Sequence, residues 1–207
     1  MPATPATGAP LRGRFVRLDV MTMEDAPGLH AVYTDPAVYT QGFIMRTPPE
    51  DLAATRTRTE DDIAAGAKGR TAYTVRLTGE GGLGDAGTVV GTSSLGDVDV
   101  DNERIHLGWT MYGSRWWGTQ VNPECKLLLL GHAFDCGFGR VKIQTDAVNE
   151  RSQGAIARLG ATREGVLRRD KRRADGTFRD TVVFSILREE WPAVRAGLED
   201  RLGVPRG

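Results

Sequence analysis

The segment Asn122-Pro123-Glu124-Cys125-Lys126, followed by four consecutive leucines, constrains this chain more than any other. Asparagine is a favoured helix N-cap, proline is tolerated at the first helical position, and an early glutamate suits the positive end of the helix dipole. Leu127 to Leu130, Ala133, Phe134 and Phe138 then wrap most of the helical circumference. A helix patterned this way belongs in an interior rather than on a surface. Gly137 and Gly139 stop it. A strand-like stretch from Arg104 to Tyr112 precedes it and another from Val141 to Val148 follows. Strand, buried helix and strand make a crossover unit, right-handed, with parallel or locally splayed strands.

The rest of the chain builds around that unit. Phe15 to Val20 alternates as a short strand should. Thr22-Met23-Glu24-Asp25 caps a helix carrying Leu29, Val32 and Tyr33, and Asp35-Pro36 starts a second. Thr47-Pro48-Pro49-Glu50 signals a third, polar helix that ends near Gly66. Strands follow at Thr71–Leu77 and Thr88–Leu95, joined by Gly79-Glu80-Gly81-Gly82-Leu83-Gly84. That joint fits the GxGxxG dinucleotide pattern, but a strand follows where the pattern needs a helix N-terminus, so it reads as a hairpin loop. Asn149 caps a helix to Leu159, Gly160 ends it, and two strands turn at Asp175-Gly176. Glu189 to Leu202 forms the last helix. The expectation is one mixed α/β (α+β) domain over residues 11–203, preceded by a loose tail over 1–10.

Lys+Arg and Asp+Glu balance at 27 each, so no net field points to nucleic acid or a membrane surface. No apolar run approaches the roughly 20 residues of a membrane-spanning helix, and the start lacks a signal-peptide pattern. A cytoplasmic location is expected. Cys125 and Cys136 fall on one helix about 16 Å apart, too far for a disulfide, and neither has a nearby His in a nucleophile arrangement. Both read as reduced packing residues, and no metal is expected. His30 and His132 read as structural. The basic run Arg168 to Arg173 is either a solvated hairpin or a wall that attracts an acidic or phosphate-bearing group.

Between strand and buried helix lies Arg115-Trp116-Trp117-Gly118-Thr119-Gln120. A loop feeding a helix N-terminus offers unpaired amides and a favourable dipole to an anion, and Gly118 permits close approach. Arg115 could add charge. The same residues could equally make a capped helix with two aromatic packing groups.

These residues carry a resemblance. The loop is similar to the acetyl-CoA signature of the GNAT superfamily, Gln/Arg-x-x-Gly-x-Gly/Ala: Arg115 and Gly118 match, while Gln120 departs. Gly108 to Leu130 resembles its RimJ/RimL-like branch, and Asn149-Glu150-Arg151-Ser152 with Leu159-Gly160 resembles its Asn-x-x-Ser and Leu-Gly helix signature. The resemblance runs from about residue 11 to 193. It implies a mostly antiparallel sheet with two splayed parallel strands, flanked by helices, and acetyl transfer from acetyl-CoA to a primary amine. The acceptor would be a protein N-terminus or a small molecule. A homodimer is common in the branch, and nothing reads nucleic-acid bases. The implied acetyl-CoA contacts are Trp109, Thr110 and Met111 for pantetheine, Arg115, Trp116, Trp117, Gly118, Thr119, Gln120, Val121 and Asn122 for phosphate, and Asn149 and Ser152 on the facing helix. Relatives often carry Glu where this chain has His106, which makes His106 the candidate base, with Glu103 in reserve. Strand alternation sets His106, Gly108 and Thr110 on one face and Leu107, Trp109 and Met111 on the other. Many relatives use Tyr to protonate the thiolate. Ile156 stands there, so Ser152 becomes the candidate donor. Two rival readings are a CoA-binding regulatory protein without turnover and an acyltransferase for a larger acyl-CoA such as succinyl-CoA.

Overall fold

A computed structural model describes residues 2–5, 8–40 and 45–203. The buried helix is α4 (Val121–Asp135), and its burial organises everything else. Cys125, Leu129, Leu130 and Ala133 are fully buried against a sheet of eight strands: β1 (Leu11–Arg12), β2 (Val16–Val20), β3 (Thr71–Leu77), β4 (Val89–Asp99), β5 (Arg104–Tyr112), β6 (Arg140–Asp146), β7 (Thr162–Arg172) and β8 (Phe178–Leu187). Each buried leucine is worth roughly 1.5–3 kcal/mol. The spatial order is β1-β2-β3-β4-β5-β6-β8-β7, antiparallel except for the β5–β6 pair that flanks α4. α5 (Glu150–Ala157) follows β6, and α6 (Trp191–Leu202) packs on α4. The opposite sheet face carries α1 (Ala26–Tyr33) and α3 (Leu52–Ala64), with α2 (Pro36–Tyr39) between them in the chain and Leu29, Val32 and Tyr33 in a smaller core against Ala72.

Three expectations shift. α4 begins at Val121 with Gln120 as N-cap, so Asn122 lies inside the first turn instead of capping it. Thr119 Oγ1 accepts from the Val121 amide at 3.3 Å and the Gln120 carbonyl from the Glu124 amide at 3.0 Å, which starts the helix early. Pro123 is tolerated there because first-turn amides need no helical acceptor. α3 begins at Leu52, capped by Asp51, whose side chain accepts from the Ala54 amide at 2.7 Å. The Thr47 start fails because a residue before proline is steered away from helical geometry. At the N-terminus, expected as loose tail, the Thr4 amide donates to the Cys136 carbonyl at 2.8 Å and Ala3 is buried.

Glu124 explains how the amino-terminal strands are held. Its buried carboxylate accepts from the backbone amides of Arg14 (2.8 Å), Phe15 (2.6 Å) and Val16 (2.6 Å), more than 100 residues away. Glu124→Ala leaves three amides without acceptors, each costing about 1–3 kcal/mol. Urea denaturation is expected to show a loss of about 3 kcal/mol or more. A loss under 1 kcal/mol, roughly that of an ordinary surface change, rules this role out.

Candidate active site

β5 and β6 pair over only three residues each, Arg104–His106 with Arg140–Lys142, and then part. Beyond His106 the β6-facing edge of β5 is open, while β6 stays bonded to β8 as far as Asp146. Backbone groups left this way need partners, and an extended polar chain laid in the gap supplies them.

His106 sits where the strands part. Its side chain is 3% exposed, and Nδ1 lies 3.2 Å from Asp97 Oδ2, near enough to pair electrostatically but out of line for a good hydrogen bond. Lys142 Nζ holds the same Asp97 oxygen at 2.9 Å. Asp97 comes from an irregularity in β4, with φ of 49°. Among the described residues Nε2 of His106 is buried without a partner. Burial lowers the imidazole pKa below its ordinary value; Asp97 opposes this, and the charges of Lys142 and Lys171 add to it. A neutral imidazole with one free ring nitrogen is therefore the resting form, which is what a proton acceptor requires.

The expected face assignment on β5 does not hold. Gly108 pairs with Ser94 and Met111 with Thr92, so Trp109 and Thr110 together oppose Ser93, a β-bulge with Trp109 at φ 50°. The extra residue reverses the alternation. Trp109 joins His106, their rings 4.7 Å apart, and lies under the Arg70 guanidinium at 4.7 Å. Thr110 turns to the α4 side instead, where its Oγ1 meets Ser93 Oγ at 2.8 Å and Lys126 Nζ at 3.3 Å.

The loop into α4 is braced from three directions. The Trp117 indole donates to the Tyr112 carbonyl at 2.9 Å, and its ring lies 3.5 Å below the Arg151 guanidinium of α5. Trp116 donates to the Leu83 carbonyl at 3.3 Å, so the glycine-rich hairpin supports the loop. Asp35, which caps α2 through the Ala37 amide, accepts from the Ser114 amide at 2.6 Å. Thr119 Oγ1 donates to the Trp116 carbonyl at 2.7 Å, and Gly118 completes the turn at φ 75°. The Gly118 and Gln120 amides find no acceptor among the described residues, and the Asn122 amide lies in the first turn, where none is intrahelical. Unpaired amides at a helix N-terminus are the groups an anion site uses.

On the facing helix, Asn149 is buried and its side chain accepts from the Ser152 amide at 2.9 Å, capping α5. The Arg151–Trp117 stack ties this helix end to the loop. Among the described residues no contact joins Ser152 to His106. Arg115 lies 5.8 Å from the Trp116 ring. Part of the basic run is structural: Arg173 holds buried Asp146 with two contacts of 2.8 Å. His30 is structural too, bonded to Thr55 at 2.8 Å. Cys136 does have a His neighbour, since its sulfur lies 3.9 and 4.0 Å from the His132 ring nitrogens one helical turn away. Asp97, Lys142 and Arg151 were not foreseen from the sequence. The lysine inside the apolar Cys125–Leu130 run was the one readable anomaly.

Comparison with known proteins agrees with this geometry. Residues 16–162 match the family model "Acetyltransferase (GNAT) domain". A crystal structure from T. thermophilus, described provisionally as an acetyltransferase, is 39% identical over 98% of this chain and 100% of its own, with a TM-score of 0.81. A GCN5-related N-acetyltransferase from Brucella melitensis has 24% identity over 96% of this chain and 87% of its own, with a TM-score of 0.86. Mycobacterium smegmatis RimJ in complex with CoA-disulfide has 21% identity over 98% and 97%, with a TM-score of 0.76. At these lower identities the likeness concerns the fold. No curated protein sequence matches. The chain belongs to the GNAT acetyltransferase family and is an acyl-CoA N-acyltransferase.

Proposed function

We propose that this protein moves the acetyl group of acetyl-CoA directly to a primary amine, with a protein N-terminus or a small amine as acceptor. The parting of β5 and β6 beside the braced, amide-rich loop carries the reading. Pantetheine lies along the Trp109–Met111 edge and the phosphates meet the loop from Arg115 to Asn122. Asn149 and Ser152 face them from α5. The bulge aids this, because it interrupts the ladder where an outside acceptor or donor is to be engaged.

A protonated amine has no lone pair, so its proton must go before attack. His106 Nε2 takes it. The amine nitrogen bonds to the thioester carbonyl carbon, the carbon–sulfur bond breaks with its electron pair on sulfur, and Ser152 gives the thiolate a hydrogen bond. Asp97 stabilises the charged form of the imidazole. The amine enters from the face that carries His106 and Trp109, beneath α1 and α3. The RimJ-like branch fits an N-terminal acceptor, supported by the shared fold of RimJ.

The test is calorimetry with acetyl-CoA, followed in the same sample by thiol release with pooled amines and N-terminal peptides. Binding with release upholds the transferase. Binding without release across a wide panel favours a CoA-responsive binding protein, and no binding removes the central claim.

The position of Asp97 supplies a further expectation. Its carboxylate raises the His106 pKa against burial and two lysine charges. Asp97→Asn removes that support, so the imidazole pKa falls further, and the acid limb of the kcat/KM profile moves to lower pH. An unmoved limb assigns the limb to a different group.

A further inference from the structure

Lys126 has no role in the chemistry above, and folding does not account for it. It lies in the second turn of α4, 6% exposed, beside Cys125, Leu129 and Leu130, which are fully buried. Among the described residues no carboxylate pairs with it. Its one hydrogen bond goes to a neutral hydroxyl, Thr110 Oγ1, at 3.3 Å. Burial brings its pKa from 10.5 down to about 8, so the environment disfavours the charge it carries at neutral pH. A buried ammonium without a counter-ion costs several kcal/mol, while a hydrogen bond to a neutral group returns about 1. A leucine or methionine would stabilise this helix better.

Its location suggests what the cost is for. Thr110 is the bulged residue of β5, exposed in the stretch that has left β6, while the lysine that holds it is buried below. The ammonium thus reaches from the core to the floor of the open gap. Ser93 grips the same hydroxyl at 2.8 Å, so both partners fix Thr110 from the α4 side. His106 and Trp109 occupy the other side of the strand. The proton acceptor and the buried cation therefore lie on opposite sides of the bulge.

We propose that Lys126 is a positioning residue for acyl transfer: through Thr110 it fixes the bulge and places a positive charge beneath the thioester. This rests on the acetyl-CoA reading above. When the amine attacks, negative charge gathers first on the thioester oxygen and then on the departing sulfur. A cation already in place in a low-dielectric floor stabilises that charge without reorganising, and does so more in the transition state than in the bound ground state. Lys126 gives up no proton.

The test uses Lys126→Met, which keeps the length and removes the charge, and Lys126→Gln, which keeps a donor for Thr110 without charge. For both, kcat is expected to fall about tenfold or more, while acetyl-CoA Kd measured by calorimetry stays within about threefold. Lys126→Met is expected to raise Tm, because an unpaired buried charge is gone. A structural lysine predicts a lower Tm with kcat preserved in the folded fraction, and that result overturns the proposal. So does wild-type kcat in Lys126→Gln. Wild-type protein that binds no acetyl-CoA overturns the parent reading instead, and this one with it.

Discussion

His106→Ala is expected to lower kcat/KM for an amine acceptor by about 10²-fold at neutral pH, with acetyl-CoA affinity little changed. The size follows from what a positioned base contributes, typically 10²–10⁴-fold. The affinity is spared because the His106 side chain faces the α1–α3 side, away from the loop proposed to meet the phosphates. The deficit should depend on pH. Near and above the acceptor's own pKa the free amine is abundant and needs no base, so mutant and wild type converge as pH rises. On the acid side they diverge, until the imidazole itself is protonated. Because burial depresses its pKa, the wild-type acid limb should lie below the ordinary value of about 6.5. Parallel pH–rate profiles for wild type and His106→Ala, differing by a constant factor or not at all, exclude proton transfer through this residue. Glu103, the reserve base, lies in the turn before β5, at the end where β5 and β6 are still paired.

Much of this arrangement is legible in the sequence. The helical period of the Leu127–Phe138 segment announced a buried helix between two strands, and α4 occupies that place. Asn149 reads as a cap and is one, because a short side chain before a helical pattern has few other uses. Other features depend on irregularity, which periodicity does not encode. One extra residue in β5 moved Trp109 and Thr110 to opposite faces from those alternation assigns, and so separated the lysine from the histidine. Asp97 reaches His106 only because β4 is irregular there too. Asp97 beside His106, and Lys142 that holds Asp97, come from β4 and β6, nine residues before the histidine and 36 after, and a single sequence carries no signal joining them. Glu124 illustrates a different gap. As an early acid in a helix it suited the dipole, but the structure uses it to hold the backbone of residues 14–16. Its charge was readable and its partner was not.

The second large effect concerns Gly118. Its φ of 75° lies where a β-branched residue is strained, although a Cβ built there meets no atom within 4 Å. The glycine is thus required by backbone conformation rather than by crowding inside the protein. Left-handed geometry costs an ordinary residue roughly 1–2 kcal/mol, so Gly118→Val pushes the turn toward another shape and redirects the amides of Gly118 and Gln120. The proposed anion site depends on where those amides point. Acetyl-CoA Kd is therefore expected to rise about tenfold or more, while kcat at saturation changes less, since His106 and the bulge are untouched. Gly203 supplies the control. It ends α6 at φ 65°, again with nothing within 4 Å, so Gly203→Val imposes comparable strain far from the loop. Calorimetry should show weakened binding for Gly118→Val alone. Equal affinities in the two variants would mean that the loop amides do not hold the phosphates, whatever the family to which the chain belongs.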